Sequence, residues 1–229
     1  MKVFHIIPVC LVSLGCCFAQ MPVDRWQAWL PGSDIDQIPD NRATTSLARL
    51  RHKIPGKALA AFSRSLKLAR HQEWQQGAKE LETAVAIDPE FSDAHENLGV
   101  HYLMAQRMNE AVAELRRAIA LDPVMSLYHS NLALAYVMQK RTSEAQTEAE
   151  TAVSLDGRNP RGRYLLGLLL ARNPAYRADA EKHLKVAADE MPDAHLALVK
   201  LYRAGGDESS ASREMERYQR AISSFKRSY

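Results

Sequence analysis

An all-α fold, a stack of about five helical hairpins, is what this sequence predicts, and three observations carry the prediction. Short motifs recur at a nearly constant step of 34 residues. Within each step the apolar residues keep three- and four-residue spacing, the period of an amphipathic helix, where a strand would alternate. Composition agrees: Ala and Leu are plentiful and aromatic residues make up 7% of the 229, which favours packed helices over sheets. A hydrophobic content of 46% is enough for a proper core, and ten Gly with ten Pro are too few for a low-complexity chain.

The step is plainest where each unit ends. Ile87-Asp88-Pro89 and Leu121-Asp122-Pro123 lie 34 residues apart, and a further 34 leads to Leu155-Asp156-Gly157, with Gly in the proline position. One step of 35 then reaches Met191-Pro192. Between these marks the second unit places Leu98-Gly99, Tyr102, Ala111, Leu115 and Ala118. The third gives Leu132-Ala133, Tyr136, Ala145, Ala149 and Ala152. The fourth gives Leu166-Gly167, Leu170, Ala180, Leu184 and Ala187, with one extra residue near Asn173-Pro174. A last unit keeps Leu198, Tyr202, Ala211 and Met215, and an opening unit keeps Ser65, Leu68, Gly77, Leu81 and Ala84.

These offsets resemble the tetratricopeptide repeat, over an array spanning 57–222 with units at about 58–91, 92–125, 126–159, 160–194 and 195–222. The best copy runs from Ser92 to Pro123; Gly157, Val199 and Tyr218 depart from the pattern, the last two in a divergent closing unit. The resemblance implies an α-solenoid, a right-handed superhelix whose first helices line a concave groove. The small residues mark close helix crossings, where a larger side chain overpacks. Asn159 before Pro160, and Asp207 after Gly205-Gly206, are helix-start signals. One hairpin cannot bury its own apolar stripe, whereas five stacked ones form a continuous core.

Residues 1–19 differ in kind. Lys2 is their only formally charged side chain, an apolar stretch runs from Val3 to Phe18, and Cys17 and Ala19 are small residues before Gln20. This is the pattern of a secretory signal cut after Ala19, too short and too broken by Pro8 for a spanning helix. It predicts export to a periplasmic or extracellular location, a bacterial envelope above all, with no stable membrane insertion once the leader is removed. Cys10, Cys16 and Cys17 all fall inside it, so the mature chain would hold no thiol and no disulfide. Loss of Lys2 lowers the formal charge of +3 by one. A nearly neutral chain with mixed signs does not point to nucleic acid. Residues 20–56 read as irregular, punctuated by Pro22, Pro31-Gly32 and Pro39, and carry Trp26, Trp29 and Leu30, which cap the first unit, lie in the groove, or mediate self-association. Residues 223–229 form a short tail.

The search for chemistry returns little. His95-Glu96 and His101 superficially suggest a zinc protease motif, but a spacing of six turns the rings about 240° apart on a helix. His129 and His195 repeat the His95 offset, so architecture accounts for them. No nucleophile elbow or phosphate loop appears, and no acid lies near enough in sequence to orient His129 beside Ser126 and Ser130. No catalytic residue, metal or cofactor is expected.

The resemblance instead directs attention to the first helices, which bind peptides in that family. Asn97 and Asn131 share one groove position, where stacked amides bond a peptide backbone; Leu165 and Ala197 follow them. Leu66, Val100, Leu134 and Leu168, then Lys200, form a second row, with Leu103, Met104, Val137 and Met138 alongside and Tyr164 in the fourth unit. Methionine suits varied partners. Asp93 and Glu96 stand at one end, and Arg161, Arg172, Lys200 and Arg203 towards the other, which matches a ligand with an apolar middle and an acidic end. Phe62 and Leu66 occupy the places where some relatives grip a terminal carboxylate, so that clamp is absent. The expected function is therefore a scaffold or adaptor holding a protein or peptide segment. The alternatives are an envelope assembly factor and a self-associating module.

Overall fold

A computed structural model of the protein describes residues 52–225. The signal-like leader, Trp26 and Trp29 lie outside them. Ten α-helices form among the described residues and pair into five hairpins: α1 (Gly56–Arg70) with α2 (Trp74–Ile87), α3 (Ser92–Met104) with α4 (Met108–Leu121), and α5 (Ser126–Met138) with α6 (Thr142–Leu155). They continue with α7 (Pro160–Leu170) and α8 (Arg177–Ala187), then α9 (Pro192–Ala204) and α10 (Glu208–Phe225). Each helix packs on its neighbours in the chain, and α5 also packs on both α3 and α7, so first helices lie side by side as a wall. The chain is an all-α helical-repeat solenoid.

Local chemistry explains each turn. The hairpins reverse through a left-handed residue at the same place in four units: Gln72, Gln106, Lys140 and Gly206, with φ of 60°, 61°, 61° and 78°. Three of these are not glycine, which stores roughly 1–2 kcal/mol of backbone strain each. The fourth hairpin solves the turn differently. Its extra residue makes room for a single 3-10 turn, Pro174–Tyr176, whose start is capped by Asn173 accepting from the Ala175 amide at 3.0 Å. Helix α7 begins as its sequence suggests, with the Asn159 side chain accepting from the Gly162 amide at 2.7 Å and Pro160 at its first position. Asp207 likewise accepts from the Ser210 amide at 2.9 Å at the start of α10. That helix runs on to Phe225, three residues past the expected end of the array.

The core repeats with the sequence. Leu81, Leu98, Leu115, Leu132, Leu165, Leu184 and Leu198 are fully buried, and the alanines at the crossings are sealed. A Cβ added at Gly99 would meet Leu115 Cγ at 2.6 Å and the Ala111 carbonyl at 3.1 Å. The equivalent Gly167 would meet Leu184 Cγ at 2.7 Å. Both glycines are thus demanded by helix contact and not by backbone conformation. Successive units are joined by tyrosines: Tyr102 donates to Glu82 at 2.7 Å, Tyr136 accepts from Arg116, and Tyr202 donates to Glu181 at 2.8 Å. Burial and the Glu82 carboxylate push the Tyr102 phenol up to about 12. No helix among the described residues is long and apolar enough to cross a membrane.

Candidate functional site

The wall formed by α3, α5, α7 and α9 carries the groove residues expected from the sequence, except Arg172 in the turn just after α7, and they lie at three depths. Val100, Asn131, Leu134 and Tyr164 are buried; Asn97, Met104, Met138, Arg161 and Leu168 are half-buried; Arg172 and Lys200 are exposed. Leu134 and Tyr164 pack into the continuous core together with Leu103 and Val137. The middle of the wall is thus apolar, and its exposed cations, Arg172, Lys200 and Arg203, gather on the fourth and fifth units.

The asparagines are not free amides. Asn97 donates to the Asp93 carbonyl at 2.9 Å and to Glu96 at 2.8 Å. Asn131, only 1% exposed, donates to Glu96 and accepts from the Arg161 guanidinium. A side chain bonded at both its nitrogen and its oxygen at that depth acts first as a structural tie between units. Glu96 is itself 2% exposed, and its negative charge partly offsets the burial that pulls Arg161 down to about 10. The Arg161 Nε, buried, has no acceptor among the described residues.

Further ties run alongside. Tyr128, wholly buried, donates to Asp93 at 2.6 Å and accepts from the Ser92 hydroxyl at 3.2 Å; burial first, then the Asp93 carboxylate, drives its phenol far above the ordinary range. Asn159 donates to Ser126 at 3.1 Å. Units two, three and four are thereby stitched into one surface by polar bonds beneath the apolar row. The sequence carried a faint signal of this, since Glu96, Asn131 and Arg161 follow one another at nearly one repeat length.

The histidines serve the scaffold. His95 and His101 point apart: His95 meets Glu114 at 2.7 Å and the Pro89 carbonyl at 3.1 Å, whereas His101 donates to the Asn97 carbonyl at 2.8 Å. His101 is sealed against Gly77, where an added Cβ would sit 2.6 Å from its ring, and burial lowers its proton affinity. An acid does orient His129, contrary to the sequence expectation: Glu148 of α6 lies 2.7 Å from Nδ1. The reading missed it because the acid sits on the opposite helix of the hairpin. The ring is no catalytic base, because its Nε2 lies 3.1 Å from the Pro123 carbonyl and Ser130 donates instead to the Leu127 carbonyl. No group of three or more His, Cys, Asp and Glu among the described residues is placed to hold a metal.

Comparison with known proteins agrees with this architecture. A family model described as tetratricopeptide repeat matches residues 62–126 and 130–195. A search of the curated proteins finds no match. Among solved structures the chain is similar to PilW, described as a widely conserved type IV pilus biogenesis factor. That likeness has a TM-score of 0.65 at 18% identity, covering 74% of this chain and 79% of PilW. It is also similar to MamA from Desulfovibrio magneticus RS-1, with a TM-score of 0.61 at 16% identity over 75% and 98% of the two chains. YrrB, described as a TPR protein with an unusual peptide-binding site, gives 0.54 at 16% identity over 70% and 84%. At these identities the likeness is one of fold.

Proposed function

Because the chain belongs to the tetratricopeptide-repeat family, we propose that it is a non-catalytic scaffold that holds a segment of another polypeptide along its first-helix wall. The supporting observation is the wall's composition: an apolar middle around Met104, Met138 and Leu168, held rigid from beneath, and followed by exposed Arg172, Lys200 and Arg203. A rigid surface binds without a large ordering cost. Such a surface favours a segment with apolar residues in its centre and acidic residues at the end that meets units four and five. Arg172 donates to Thr142 at 2.9 Å, and Arg203 lies 3.5 Å from the exposed Glu208, contacts that an incoming carboxylate can replace at little expense.

Fluorescence anisotropy with short labelled peptides, apolar in the centre and acidic at one end or basic at the same end, tests this reading. The acidic series should bind more tightly, and Arg172→Glu with Lys200→Glu should reverse the preference. Equal affinity for both series, with helicity unchanged, would remove the charge assignment.

The leader-like residues 1–19 place this activity outside the cytoplasm in our reading, in a bacterial envelope. N-terminal sequencing of the secreted chain should begin at Gln20. A second role, as an assembly factor for envelope proteins, gains support from the fold shared with PilW; capture of many unrelated unfolded segments, in place of one, would favour it.

A further inference from the structure

One histidine bond recurs three times. His95, His129 and His195 occupy the same place on α3, α5 and α9, and each Nδ1 lies 2.7 Å from a glutamate of the facing second helix: Glu114, Glu148 and Glu214. In the first two the other ring nitrogen lies 3.1 Å from the carbonyl of Pro89 or Pro123, in the turn that enters the unit. Chemistry fixes the proton count at such a site. A carbonyl only accepts, so Nε2 must carry a hydrogen. A carboxylate also only accepts, so a bare Nδ1 would set two lone pairs against each other. The ring therefore satisfies both neighbours as imidazolium.

The fourth unit supplies the contrast. Arg163 stands at the histidine's place, donating from Nε to the Gly157 carbonyl at 2.8 Å and from Nη1 to His183 on α8 at 3.0 Å. A permanent cation has taken the part of the imidazolium, and the partner that receives its hydrogen is now a neutral histidine.

We propose that two of these side chains are staples of opposite proton dependence: the His129–Glu148 staple holds its hairpin while protonated, whereas the Arg163–His183 staple holds only while His183 is neutral. His95, His129 and Arg163 each tie a first helix both to its hairpin partner and to the entry turn, so loss of such a staple loosens packing within and between units.

Glu148 is the charged group acting on His129, and despite the opposing effect of burial, its bond and that of Pro123 raise the ring's proton affinity. A raised histidine contributes stability below its unfolded value of about 6.5 and loses it as pH climbs through the folded value. His183 is lowered, by burial first and then by Arg163 and Lys182, against Asp179 and Glu150. Its contribution is present above about 6.5 and is lost as pH falls through the folded value. His95 faces Glu114. His195 faces Glu214, whose other oxygen accepts from Arg217 at 2.9 Å within a cleft also lined by Arg177, Glu181, Lys185, Asp207 and Arg213.

Glu148→Gln is the discriminating variant. Glutamine donates to a neutral Nδ1 while Nε2 keeps its bond to Pro123, so the site stays satisfied without the extra proton. In the full chain, ring nitrogen chemical shifts should show His129 losing its second proton at a higher pH in the wild type than in the variant. Melting temperature should fall less in the variant than in the wild type as pH climbs above about 6.5. A wild-type His129 that titrates at or below the ordinary histidine range, or variant melts that run parallel to wild type, would overturn the proposal. For the fourth unit, His183→Gln should blunt the loss of melting temperature below about pH 6, and an unchanged acid limb would contradict its assignment.

Discussion

The side-chain amide of Asn131 donates to the carboxylate of Glu96, one repeat earlier, and its oxygen accepts from Arg161, one repeat later. A single residue thus links three consecutive first helices, and it does so between two charges. Removing it by Asn131→Leu leaves Glu96 and Arg161 facing each other across an apolar side chain. We expect a loss of about 1–3 kcal/mol, the cost of buried polar groups deprived of partners. Urea denaturation followed by circular dichroism measures it; a change below about 0.5 kcal/mol would mean the network contributes little.

Close helix contact predicts a different sensitivity. Gly99→Val drives a side chain into Leu115, which is fully buried and cannot move aside, so overpacking should cost about 1–3 kcal/mol. Gly56→Ala is the control, since nothing lies within 4 Å of its added Cβ. It should leave thermal stability unchanged or slightly raised.

Backbone strain at the hairpin turns can be read directly. Gly206 has φ of 78° and open space around its missing Cβ, so Gly206→Ala isolates the conformational term at about 1 kcal/mol of destabilisation. The reverse change, Gln106→Gly, relieves the same strain in the second unit and should raise stability by up to about 1 kcal/mol, less the entropy glycine adds to the unfolded chain. Paired melting curves settle both signs.

Tyr128 tests how much the buried tie to Asp93 contributes apart from packing. Tyr128→Phe keeps the ring and removes a hydroxyl that bonds Asp93 and Ser92. A bond to a charged acceptor is worth about 1.5–3 kcal/mol, so the variant should melt earlier with unchanged helicity. An unchanged melting temperature would show that Asp93 finds another donor.

Much of this was written in the sequence at the level of elements. The recurrence of Ile87-Asp88-Pro89 at Leu121-Asp122-Pro123 marked the repeat, Gly99 and Gly167 marked the crossings, and Asn159-Pro160 marked a helix start, because each is set within one turn or one helical hairpin. Depth was not legible. A groove position states which way Asn131 faces but not that Arg161 of the next unit would reach it and bond its side-chain oxygen. The His–Glu staples were half visible: the recurrence of His95, His129 and His195 was plain, but their partners lie 19 residues away on another helix. Only aligning both helices of every hairpin exposes the pairing and its inversion at Arg163 and His183.

Whether the first-helix wall is the binding surface is best decided by site-specific photo-crosslinking. A reactive probe replaces Leu168 or Lys200 on the wall, or Val186, which is exposed on second helix α8. With an apolar peptide bearing an acidic end as the added partner, we predict adducts from Leu168 and Lys200 that free peptide competes away, and none from Val186. Adducts from Val186 alone, or equal yields at all three positions, would contradict the assignment of the wall as the polypeptide-binding surface.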